Sequence, residues 1–117
     1  MANFFKGSEI KFTINLQAEG FSMDEDEFDI EVASPRSSVV GHKTPGGEDP
    51  TDVVIFKETV TPEQGDPVDV WYAIVDTQNL NVGDMRVIAT AYITDSDAND
   101  GVRNEIAVAS LGKLVNP

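Results

Sequence analysis

Residues 68 to 93 constrain this chain more than any other stretch. They read Val-Asp-Val-Trp-Tyr-Ala-Ile-Val-Asp, then Thr-Gln-Asn-Leu-Asn-Val-Gly-Asp, then Met-Arg-Val-Ile-Ala-Thr-Ala-Tyr-Ile. Two runs rich in β-branched and aromatic residues flank one turn-rich segment. That pattern is a strand, a turn and a strand. It predicts an all-β fold with a buried hydrophobic seam.

The rest of the chain repeats the signal. Ile10, Phe12, Ile14 and Leu16 alternate with Glu9, Lys11, Thr13 and Asn15, the period of a half-buried strand. Phe28, Ile30 and Val32 alternate with Asp29 and Glu31 and predict a second strand with an acidic outer face. Val53 to Val60 is apolar on both faces over its middle, which predicts a central strand or one covered by a neighbour. Val102 to Ala109 and Leu111 to Val115 complete the chain as one or two strands. About seven antiparallel strands at this spacing indicate a sandwich or barrel. Residues 34 to 52 carry Pro35, Gly41, Pro45, Gly46, Gly47 and Pro50, and read as a long irregular loop with a very short strand at Val39 and Val40. Residues 1–7 read as a short N-terminal extension of one domain spanning 1–117.

Composition narrows the function classes. The chain has 21 acidic and 8 basic residues, a net charge of −13. Such a surface repels phosphate backbones and anionic membranes, so neither nucleic acid nor membrane is an expected partner. Cations, basic protein patches and neutral glycans stay open. There is no cysteine, hence no disulfide framework and no thiolate nucleophile. No apolar run suits a signal peptide, so synthesis in a cytoplasm is expected.

No constellation names a reaction. His42 is the single histidine and falls in the Gly/Pro-rich segment, so it cannot build a typical zinc site. No Gly-x-Ser-x-Gly elbow surrounds a serine, and Gly46-Gly47 lacks the lysine of a phosphate loop. The expectation is a protein that is not an enzyme. The loop Asp95-Ser96-Asp97-Ala98-Asn99-Asp100-Gly101 crowds oxygen ligands as a calcium site does. Asp95, Asp97, Asn99 and Asp100 are the candidate ligands. Asp100 stands where a helix–loop–helix calcium site needs glycine, and the twelfth position is Ile106. The other reading is a solvated turn. The run from Asp24 to Glu31 reads as a solvated acidic face or a seat for a basic partner.

Aromatic residues raise the question of contacts. Trp71 and Tyr72 are adjacent on one strand and so point to opposite faces. Trp71 is expected in the core beside Phe12 and Ile88. Tyr72 is expected outside, packing there or offering a stacking surface to a sugar or a protein; Tyr92 poses the same question. Phe4 and Phe5 precede the first strand and could dock on a neighbouring subunit.

Three stretches carry a family resemblance: Phe5-Lys6-Gly7-Ser8-Glu9-Ile10-Lys11-Phe12-Thr13-Ile14; Trp71 to Thr77 leading to Leu80-Asn81-Val82-Gly83-Asp84-Met85; and Ala91 to Asp97 followed by Asp100 to Glu105. They resemble small proteins of phages and prophages of gut anaerobes. Those in turn look like the immunoglobulin-like N-terminal domain of phage baseplate upper proteins. The resemblance implies an immunoglobulin-like β-sandwich. It implies a non-enzymatic virion component, an adaptor of tail or baseplate or a protein of the capsid exterior, with no receptor-binding region following. The implied partners are other virion proteins or further copies in a homo-oligomer or symmetric assembly. Phe4, Phe5, His42 and Tyr72 are the expected contact residues. The alternative is a glycan- or calcium-binding module using Tyr72 or Tyr92 with the Asp95 loop.

Overall fold

Strict alternation at Phe28, Ile30 and Val32 dictates one strand that buries every second side chain, and all three are fully buried. The same rule organises the whole molecule. A computed structural model describes residues 3–44, 47–49 and 53–117. The described residues form nine strands: β1 (Asn3–Phe5), β2 (Glu9–Ile14), β3 (Glu27–Ser34), β4 (Ser37–Thr44), β5 (Gly47–Asp49), β6 (Val53–Val60), β7 (Val68–Asp76), β8 (Gly83–Thr94) and β9 (Val102–Val115). They build a six-stranded sheet in the order β1-β9-β8-β3-β4-β5 and a three-stranded sheet in the order β2-β7-β6. The expected all-β, sandwich-like architecture is present.

The two sheets share one apolar core. Ile30, Val32, Met85 and Ala89 of the large sheet meet Ile10, Val53, Ile55 and Val75 of the small one. Burial of these side chains is the main driving force for bringing the sheets together. Residues 68 to 93 form the expected strand, turn and strand, but β7 and β8 do not pair with each other. β7 lies between β2 and β6, and β8 between β3 and β9. A short 3-10 turn, Thr77–Asn79, carries the chain from one sheet to the other. Asp76 caps it by accepting from the Gln78 N–H at 3.0 Å. Thr77 is fully buried: its hydroxyl donates to the Ser8 carbonyl at 2.7 Å and accepts from the Gly7 N–H at 2.9 Å. Leu80 follows and is fully buried, closing that end of the core. Gly83 then opens β8 with φ +132°, and a Cβ there would meet the Pro35 ring at 2.7 Å.

Several expectations need correction. Residues 34 to 52 are not one irregular loop. Pro35 and Arg36 make a tight turn, with Arg36 at φ 61°, and β4 runs back along β3 for eight residues. The period is disguised because two of its core-facing positions are Gly41 and Lys43. Gly41 is required by packing: a Cβ there would lie 2.3 Å from the Val53 carbonyl oxygen. Lys43 is 3% exposed. Its ammonium donates to the carbonyls of Asp24 and Asp26 at 3.0 and 2.8 Å and lies over the Phe28 and Trp71 rings. Buried charge survives where such partners satisfy it. Pro45, Gly46 and Pro50 lie outside the described residues.

The N-terminal extension is not a loose arm either. Residues 3 to 5 pair in parallel with Lys113 to Val115 of β9. The expected count of about seven antiparallel strands therefore becomes nine, with one parallel pair. Among the described residues β6 is an edge strand and not a central one, since there it pairs with β7 alone. Its outward apolar residue Phe56 stacks on Tyr72, its cross-strand partner on β7. Trp71 packs against the core and meets Phe28 edge to face at 5.9 Å, as does Phe12 against the same core. Ile88 does not join them, because Val87 and Ala89 take the inward positions of β8 and turn Ile88 outward. The last strand is continuous over 14 residues, with a register shift opposite Met85 and Arg86 that leaves Leu111 without a partner on β8.

Candidate interaction surface

The outer face of the large sheet is assembled from four strands in register. Val40, Glu31, Ile88 and Val108 form one row across β4, β3, β8 and β9. His42, Asp29, Thr90 and Ile106 form the next. Glu27, Tyr92 and Asn104 follow. The β9 end of this face is apolar and open: Ile106 is 66% exposed and Val108 59%. The β3 and β4 end is polar and interlocked.

That interlocked end holds the single histidine. His42 contacts the Asp29 carboxylate through Nδ1 and lies 3.3 Å from Glu27 through Nε2. The Tyr92 hydroxyl donates to the other Asp29 oxygen at 2.5 Å. The hydrogen bond to Asp29 is the main influence that raises the His42 pKa above 6.5, against the opposing effect of burial, and Glu27 adds to the rise. The hydrogen bond that the Tyr92 phenol donates to the same carboxylate, then burial, then the repulsion between two anions push its pKa up to about 12. His42 thus works as the counter-ion within an acidic face. It sits on a strand, where the sequence reading expected a loop. Asp29, Glu27 and Tyr92 were missed as its partners. Their signal is faint, since cross-strand neighbours come from positions 13 to 50 residues away.

The expected contact residues do not converge on one place. Tyr72 is on the outer face of the small sheet, stacked on Phe56 at 5.7 Å, with the Lys11 ammonium 4.4 Å from the Tyr72 ring centre. Lys11 also reaches Glu58 at 3.7 Å. One side of this aromatic pair is therefore already covered by the protein's own cation. Phe4 packs against the core, whereas Phe5 points out and is 59% exposed. Phe4 is thereby a core residue more than a docking residue.

The Asp95 loop joins β8 to β9. Asp95 accepts from the Asp97 N–H at 3.0 Å and from Arg103 Nε at 3.0 Å. These two interactions, the backbone one first, hold its carboxyl below the ordinary carboxylate range. Asp97, Asn99 and Asp100 are exposed turn residues. Among the described residues no group of three or more His, Asp or Glu side chains is placed to hold a metal ion. Arg103 further donates to the Glu19 carbonyl at 2.9 Å and pairs with Glu105, so the loop is braced by an arginine. Among the described residues no helix is long and apolar enough to cross a membrane.

Known proteins add no name to this geometry: a scan against protein-family models finds no match, and neither a search of the curated proteins nor one of the solved structures finds a similar chain.

Proposed function

We propose that this chain is a non-enzymatic structural component of a bacteriophage virion, an immunoglobulin-like module that acts through protein–protein assembly. The observation that carries the reading is the open apolar end of the large sheet. Ile106 and Val108 stand side by side on a long strand and gain nothing where they are unless another surface covers them. The sequence resemblance supplies the phage context.

Strand order supports the immunoglobulin-like part. In a variable-type domain the last two strands lie beside the third, two further strands extend that sheet, and the second, sixth and seventh strands form the other. Here β8 and β9 lie beside β3, β4 and β5 extend that sheet, and β2, β7 and β6 form the other. One departure is that β1 lies beside the last strand instead of the second.

The direct test is to label particles purified after prophage induction with an antibody to this chain. Regular labelling on the head, neck or tail is the expected result and also gives the location. A chain found only in the soluble fraction overturns the virion role.

A further inference from the structure

An edge strand exposes a row of unpaired backbone N–H and C=O groups and is a template for another strand. β9 is such an edge over most of its length. β1 covers only Lys113 to Val115. From Val102 to Ser110, among the described residues, no strand pairs with β9 on the side away from β8. This open edge spans about 30 Å at the usual rise per residue.

Edges are normally protected by lysine, proline, brevity or inward charge. The stretch Val-Arg-Asn-Glu-Ile-Ala-Val-Ala-Ser has no lysine and no proline. Its two charges, Arg103 and Glu105, are on the core-facing side at the Val102 end, where they pair with each other and Arg103 also pairs with Asp95. The stretch is therefore neutral in a chain of net charge −13. Two copies can meet here without setting carboxylates against each other, whereas the β3 and β4 end of the same sheet presents Glu27, Asp29 and Glu31.

The side chains fit the same contact. On the outer face Ile106 would meet its own equivalent, and Val108 would face Asn104 of the second copy. On the inner face Ala107 and Ala109 are small and border an apolar groove of about 160 Å³ with Phe12, Ile14 and Leu16 on its far side. A second strand laid along β9 in this register would set its own Glu105 and Arg103 opposite Ala107 and Ala109, at the rim of that groove, with their stems against the small side chains.

We propose that two copies of this chain associate by antiparallel pairing of their β9 edges over residues 102–110, making one continuous sheet across a two-fold axis near Ile106. An isologous contact of this kind closes on itself, because the same patch is used by both copies and each contact of residue i with residue j is repeated as j with i. This interface rests on the assembly role proposed above, and the two fail under different results.

The test uses the full chain. Light scattering across a concentration range should give twice the 12.7 kDa chain mass. Ile106→Lys and Val108→Lys alter exposed positions, so each should return the mass to one chain while the melting temperature stays within about 2 °C of the parent, as for ordinary surface changes. The chain has no cysteine, so Ile106→Cys gives a clean reporter. Across an antiparallel pair the Cα atoms lie about 4.5–5.5 Å apart, within disulfide reach. Ile106→Cys should form a covalent dimer at least about tenfold faster than Val54→Cys, which is similarly exposed on the opposite sheet. A parent chain that stays at single mass up to millimolar concentration overturns the β9 dimer. So does a dimer that survives both lysine variants, or equal cross-linking at positions 54 and 106. If any of these holds while the antibody still decorates particles, the assembly role stands and only this interface falls.

Discussion

β6 and β9 are both edge strands, and the protein treats them in opposite ways. β6 ends its sheet with Lys57 on the core-facing side, where the ammonium donates to Asp24 at 3.2 Å, approaches Asp69 at 3.7 Å and lies over the Trp71 ring. A charge pointing inward on an edge strand forbids a neighbour, since docking would strip it of water. Its outward aromatic, Phe56, is already covered by Tyr72 and Lys11. β9 also carries inward charges, Arg103 and Glu105, but they are of opposite sign, pair with each other and stand at the Val102 end of the open stretch; from Ile106 to Ser110 it has none. The contrast teaches that an edge is a boundary or an interface according to where its charges lie, and not according to how apolar it is.

Removing the close approach that seats β6 should have the largest effect. Gly41→Ala pushes a methyl group against the Val53 backbone, where no side-chain motion can relieve it. A loss of about 3 kcal/mol is expected, read from the urea midpoint. An unchanged midpoint would mean that β4 and β6 are not held this closely.

The second experiment converts one edge into the other. In an Ile106→Lys background, which is expected to be monomeric, Lys57→Val removes the inward charge from β6. Association should then return, now through the small sheet, as a mass that grows with concentration. A mass that stays at one chain would show that the lysine is not what guards this edge.

Tyr92→Phe deletes the hydroxyl that donates to Asp29 and should cost about 1 kcal/mol. In the parent, an ultraviolet titration should show one tyrosine ionising at about pH 12. Both results fail together if Tyr92 does not hold Asp29.

A smaller effect belongs to pH. The folded His42 pKa lies above the unfolded value of 6.5. Its stabilising contribution is then complete below 6.5 and is lost as pH rises through the folded value. The melting temperature should fall across that window in the parent and stay flat there in His42→Gln. His42 is three strand spacings from β9, about 14 Å, beyond the screening length of about 8–10 Å in ordinary salt. The β9 dimer should keep its dissociation constant while the melting temperature changes. A dimer that dissociates in step with His42 would join the two ends of the face into one site.

The smallest expected effect is from calcium. Asp95 is held by Arg103 and by its own turn. Millimolar calcium should leave the melting temperature unchanged, since only a ligand that binds the native state raises it. A rise of several degrees would make the loop a site.

Local pattern determined a good deal of this protein. Alternation placed β2 and β3, because each buries every second residue, and β-branched and aromatic content placed β7 and β8 without fixing which face of β8 is inward, as Ile88 shows. The polar turn from Asp95 to Gly101 was legible from its crowding of Asp and Asn, which favour turns. The strongly acidic surface follows from composition alone. Tertiary structure decided the rest. β4 escaped because Gly41 and Lys43 stand at core positions, one for a backbone that passes too close for a side chain, the other for carbonyls supplied by Asp24 and Asp26. The apolar middle of β6 left a central strand and a covered one both open, and only the register shows that Phe56 stacks on Tyr72 of β7. His42 acquired its chemistry from Asp29, Glu27 and Tyr92, which only strand register brings beside it. Whether β9 is an edge depends on which strand lies next to it, and that is a long-range choice made by the shared core of two sheets.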